Sequence, residues 1–118
     1  MAILTKDSSV RLVELTAALA YILYTLEKFH RKKTVTQPEN LIITSINDSA
    51  KHMPSSRHYQ NEAIDLRSRN FLTREDKRIF RQELELYLGS FFRVLLESED
   101  TENEHFHIQV RKGLRYPS

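Results

Sequence analysis

The chain has 118 residues, 40% hydrophobic and 29% charged, which suits one domain, residues 1–118, with one modest core. Eighteen basic residues against sixteen acidic ones leave a formal net charge of +2, too small an excess to argue for nucleic-acid binding. Cysteine is absent, which excludes disulfides, thiolate metal sites and cysteine nucleophiles, so a metal site must use His, Asp, Glu or backbone oxygen.

The first residues, Met1 to Asp7, lack a basic segment followed by an apolar one, so no secretory signal is expected. Asp7, Ser8 and Ser9 offer caps for a helix expected over Ser9–Lys32. Val10, Val13, Ala17, Ala20, Tyr21, Tyr24 and Lys28 follow helical spacing. Leu12, Leu15, Leu19, Ile22, Leu23 and Leu26 add a wider stripe. A helix apolar on most of its surface is expected to be largely buried. The uncharged run Leu15–Leu26 falls short of the roughly 20 residues that cross a bilayer, so no membrane span is expected. Arg31, Lys32 and Lys33 suit the negative end of the helix dipole, and His30 is expected at the surface beside them.

The β-branched run Leu41–Ile46 predicts a strand, followed by a polar loop from Asn47 to Arg57. Glu62–Leu66 predicts a second strand. Thr73 caps a predicted helix over Arg74–Leu88, stopped by Gly89. Phe91–Leu96 and His105–Val110 predict two more strands joined by the acidic loop Ser98–Asn103, and the tail from Gly113 is expected to fray. This order predicts an α+β fold with a small, mainly antiparallel sheet packed against a long N-terminal helix and a second helix.

Three residues stand out as metal ligands, His58, Asp65 and His107, with the acid Glu104 three positions before the last. Catalytic zinc commonly takes three protein ligands and keeps a position for water. Two neutral imidazoles and one carboxylate leave the ion positive enough to acidify that water, and a separate carboxylate can then move the proton to a leaving amine. Spacing alone leaves the matter open. His105 and His107 would equally place two imidazoles on one strand face, and a surface histidine at position 58 with a strand-end acid at 104 is the plain alternative.

The segment Ser56-Arg57-His58-Tyr59-Gln60-Asn61-Glu62-Ala63-Ile64-Asp65 resembles the S-x-H-x-x-G-x-A-x-D signature of the zinc D-Ala-D-Ala carboxypeptidase and L-alanyl-D-glutamate endopeptidase family. Glu104-His105-Phe106-His107 is similar to that family's E-x-W-H signature, and the two occur in the family's order. The resemblance implies the fold shared with the hedgehog amino-terminal domain. It implies zinc held by His58, Asp65 and His107, with Glu104 as general base. Ser56 would support its loop, and Ala63 would sit where the strand packs closely.

Asn61 stands where the motif has glycine, and asparagine tolerates a left-handed backbone. Phe106 stands where the motif has tryptophan, keeping an aromatic wall without the N–H donor. Many relatives carry an arginine soon after a segment like Thr44-Ser45, where it polarises the scissile carbonyl; here none follows until Arg57. His52 is the preferred substitute, with Lys51 and Arg57 as rivals. His105 is expected beside the ligands or facing solvent, Tyr59 to line the cleft or pack, and Arg67 to pair with an acid or bind a substrate carboxylate.

The implied function is zinc-dependent hydrolysis of D-amino-acid-containing stem peptides of bacterial peptidoglycan. The expected setting is a phage-type lysis or virion-associated enzyme, made in the cytoplasm and acting on the wall after release by another factor or as part of a particle. The alternative is a zinc-containing binding domain of the same fold that does not catalyse. A plain interaction domain without metal, docking through its long apolar helix, is a third reading.

Overall fold

A computed structural model describes residues 3–10, 12, 15–46 and 63–111 of the chain. The first element is a strand the sequence did not announce, β1 (Ile3–Thr5). Its three residues are too few to show a period of two. Asp7 does not cap a helix; its carboxylate accepts from the Ser9 amide at 2.8 Å in a local turn. The helix starts later than expected, as α1 (Ala17–Lys32), because Thr16 is extended and its hydroxyl accepts from the Leu19 amide. The helical spacing of Val10 to Leu15 was misleading: Val10 packs on the core from outside any helix.

Nor is α1 buried all round. Ala18, Leu19, Ile22, Thr25, Leu26, Phe29 and His30 form one buried stripe, while Tyr24 on the opposite face is 64% exposed. His30, expected at the surface, lies on the buried side, where its Nε2 contacts the Pro38 carbonyl at 3.0 Å. The loop after α1 folds back over the helix end and supplies that partner.

The remaining elements follow expectation within a residue or two. They are β2 (Leu41–Ser45), β3 (Ala63–Arg67), α2 (Arg74–Leu88), β4 (Phe92–Glu97) and β5 (His105–Val110). The five strands form one mixed sheet in the order β1-β2-β3-β5-β4, with β1 parallel to β2 and the other neighbours antiparallel. The short parallel edge is the departure from the expected pattern.

Period-two alternation divides this sheet into an apolar and a polar face. Ile64 and Leu66 of β3, Phe106, Ile108 and Val110 of β5, and Phe92 and Val94 of β4 are all buried. They pack with Leu19, Ile22, Leu26 and Phe29 of α1 and Phe80, Leu84 and Leu88 of α2 in one core. Phe71, Phe80 and Phe106 meet edge to face or tilted, with centroids 4.9 to 5.1 Å apart. Full burial of one such side chain stabilises by about 1.5–3 kcal/mol. Among the described residues, no helix is long and apolar enough to cross a membrane.

The helix α2 also guards the sheet edge. Val94 of β4 turns its backbone groups away from β5. Its N–H donates to Glu85 Oε1 at 2.9 Å and its carbonyl accepts from Arg81 Nη1 at 3.0 Å.

Candidate functional site

The polar face of the sheet carries the residues of interest because of strand register. β3 and β5 pair with Asp65 opposite His107 and Arg67 opposite His105. β4 and β5 pair with Glu97 opposite His105. Asp65, Glu97, His105, His107 and Gln109 therefore project to one side, away from the helices.

Their polar atoms converge. Asp65 Oδ1 lies 2.9 Å from His107 Nδ1, and Glu97 Oε1 lies 3.0 Å from His105 Nε2. The crossed distances, Asp65 to His105 and Glu97 to His107, are both 3.9 Å. His107 Nε2 meets Gln109 Oε1 at 2.8 Å, and His105 Nδ1 meets the Asn103 carbonyl at 2.7 Å.

These contacts set the charges. The hydrogen bond that His105 donates to Glu97 is the main reason His105 is raised to about 9, reinforced by the Asn103 carbonyl and Asp65 against the opposing effect of burial. Glu97 is lowered in return, chiefly by the same bond. Burial works against a charged His107, but Asp65, Glu97 and Gln109 outweigh it and raise its pKa.

Glu104 is placed differently. It precedes β5, and its carboxylate reaches toward α2, on the side of Phe106 rather than that of His105 and His107. Ser68 Oγ and Lys77 Nζ each donate to its Oε1 at 2.6 Å, and the Asp100 amide donates to its Oε2 at 3.0 Å. Burial would raise this carboxyl, but the Asp100 amide, Lys77 and Ser68 together hold it down at about 2. Ser68 is wholly buried and the Lys77–Glu104 pair is mostly so.

Comparison of the chain with protein families, with curated proteins and with solved structures gives no match.

Of the anticipated ligands, the structure brings together Asp65 and His107. The third, His58, lies outside the described residues, as do His52, Lys51, Arg57, Ser56, Tyr59 and Asn61. Among the described residues, no group of three or more His, Asp or Glu side chains is arranged to hold a metal ion. Carboxylate and imidazole are ligand types that zinc takes, and the 2.9 Å separation of Asp65 and His107 is that of an ordinary hydrogen bond.

Two participants escaped the sequence reading. Gln109 was signalled by its place two residues after His107 on the same strand. Glu97 becomes visible only once the β4–β5 hairpin register is known. Arg67 lines a surface cavity with Lys6, Arg69, Asp65, Glu104 and His105.

Proposed function

We propose that the chain is a zinc-dependent peptidase acting on D-amino-acid-containing stem peptides of bacterial peptidoglycan. The observation that carries this reading is the contact of Asp65 with His107. These residues are 42 positions apart and belong to two separate motifs, yet β3–β5 pairing sets them opposite each other at 2.9 Å. The fold of the zinc D-Ala-D-Ala peptidase and hedgehog group is part of the same proposal, resting on the two motifs. So is the setting, a phage-type lysis or virion-associated enzyme.

Asp65 and His107, with His58, would hold the ion. When bound there, zinc acidifies water and polarises the carbonyl to be cleaved. Glu104 would take the proton from water and pass it to the leaving amine, for which its carboxylate would have to turn from the α2 side of β5 to the side of Asp65 and His107, giving up its bonds to Lys77, Ser68 and the Asp100 amide. His52 would donate to the developing oxyanion. Lys6, Arg67 and Arg69, which line the cavity beside Asp65 together with Glu102 and Glu104, would pair with the carboxylates of a stem peptide.

Metal analysis together with mass analysis of digested peptidoglycan tests the proposal. Native protein should hold about one zinc per chain and release cleaved stem peptides. Asp65→Ala and His107→Ala should each lose both properties. Metal-free native protein that leaves peptidoglycan intact, even with zinc added, would end the reading.

The engagement of Glu104 by three donors favours a second reading, a zinc-containing binding domain of the same fold without peptidase activity. Zinc-loaded protein that binds stem peptides but leaves them uncut would select it.

A further inference from the structure

His107 is held between two acceptors. Asp65 Oδ1 faces its Nδ1 at 2.9 Å, and Gln109 Oε1 faces its Nε2 at 2.8 Å. The Gln109 amide has one sensible orientation. Its NH2 group donates to the Val110 carbonyl at 3.1 Å, and turning it over would set oxygen against oxygen there. The amide oxygen therefore points at the imidazole, and Nε2 must carry a hydrogen to donate to it.

That hydrogen has a consequence on the other side of the ring. An imidazole with its single hydrogen on Nε2 turns the Nδ1 lone pair toward the Asp65 carboxylate. Two lone-pair atoms at that separation repel unless a positive centre lies between them. A second ring proton is one such centre, and a metal cation is the other.

We propose that Gln109 is a positioning residue that holds His107 with hydrogen on Nε2 and Nδ1 turned to a cation shared with Asp65. The role rests on the zinc reading above. It also follows from the sheet: β5 is paired on both sides, and Gln109 sits opposite Ala63 and Arg93. The Val110 carbonyl anchor is thus fixed by the ladder, and the amide cannot swing away without breaking its own bond. Acceptors of this kind on a ligand histidine fix its tautomer and raise its basicity, and their loss typically costs about 10–100-fold in metal affinity.

Zinc affinity is measured by chelator competition for the native chain, Gln109→Leu and Gln109→Glu. In parallel, the chain labelled with nitrogen-15 histidine is loaded with cadmium-113, and metal–nitrogen coupling is read by NMR. Gln109→Leu should bind zinc about 10–100-fold more weakly, whereas Gln109→Glu keeps an acceptor oxygen for His107, though not the bond to the Val110 carbonyl, and should lose clearly less affinity. Circular dichroism checks that each variant is folded. Cadmium coupling in the native chain should appear at Nδ1 of His107. Coupling at Nε2, native affinity in Gln109→Leu, or equal losses in the two variants would each overturn the role, the last pointing to packing alone. Absence of zinc from the native chain would overturn both the zinc reading and this role. Zinc bound equally by the native chain and Gln109→Leu would remove the Gln109 role and leave the zinc reading standing.

Discussion

Glu104→Gln separates the two demands placed on one side chain. As the proposed general base, its replacement should cut turnover by roughly 10² or more while zinc stays bound; near-native turnover would remove the assignment. As the partner of Lys77, the carboxylate also stabilises the fold. Its folded pKa of about 2 lies below the ordinary value of 4.5, so its contribution is complete above the ordinary value and is lost as pH falls through about 2. Urea midpoints followed across that range should fall more steeply for the native chain than for Glu104→Gln, and parallel curves would show that the ion pair is not formed in solution. His105 has the opposite sign. Its pKa is raised to about 9 from 6.5, so its contribution is complete below the lower value and disappears as pH rises through the upper one. In metal-free protein the His105 ring should titrate near that upper value, and Glu97→Gln should bring it back toward the ordinary one; NMR of the ring protons reads both. Residue type said only that a cysteine-free metal site must use carboxylate and imidazole; it was the resemblance of two motifs that pointed to Asp65 and His107. Glu97 was not legible in the same way. Its role depends on which residue faces which across the ladder, and residue type does not encode register.

The second helix shows how much of an element chemistry can mark in advance. Thr73 accepts from the Asp76 amide at 3.0 Å, and Thr73→Ala should cost about 1 kcal/mol in urea unfolding. Gly89 closes the helix at φ 104° and ψ 179°, a backbone region essentially reserved for glycine. A side chain there would meet open space within 4 Å, so the expected penalty for Gly89→Ala, about 1–3 kcal/mol, is one of backbone conformation alone. An unchanged urea midpoint would show that the turn relaxes. Both helix ends were therefore readable, since each rests on one residue with a specific local task. The start of α1 was harder to read. Val10 to Leu15 carry a helical repeat of apolar residues, but helix entry was decided by the Thr16 cap, a smaller signal set behind a louder one. β1 was invisible for a different reason: its three residues are ordered by a parallel partner almost forty positions away, with Ile3 beside Leu41.

At the scale of the molecule, the sheet keeps two kinds of chemistry apart. Helices and aromatic rings cover one face, while the paired acids and histidines occupy the other. Strand β5 serves both, with Phe106, Ile108 and Val110 toward the core and His105, His107 and Gln109 toward the site. Zinc held on that strand should stabilise the entire fold, by about 2.7 kcal/mol at a free concentration one hundred times the Kd. Calorimetry with and without chelator measures this, and identical melting curves for a zinc-binding protein would show that the site forms without coupling to folding. The same strands raise a question of sociability. A sheet ending in β4 offers a row of hydrogen-bonding groups that could recruit a strand from another copy, the first step toward a ribbon of joined sheets. Arg81 and Glu85 occupy both backbone groups of Val94 in the middle of that row. Their side chains imitate a neighbouring strand for one residue, and an incoming chain would have to displace them before it could align. The two charges thus act as a stopper against self-recruitment at high local concentration, where identical copies are crowded side by side.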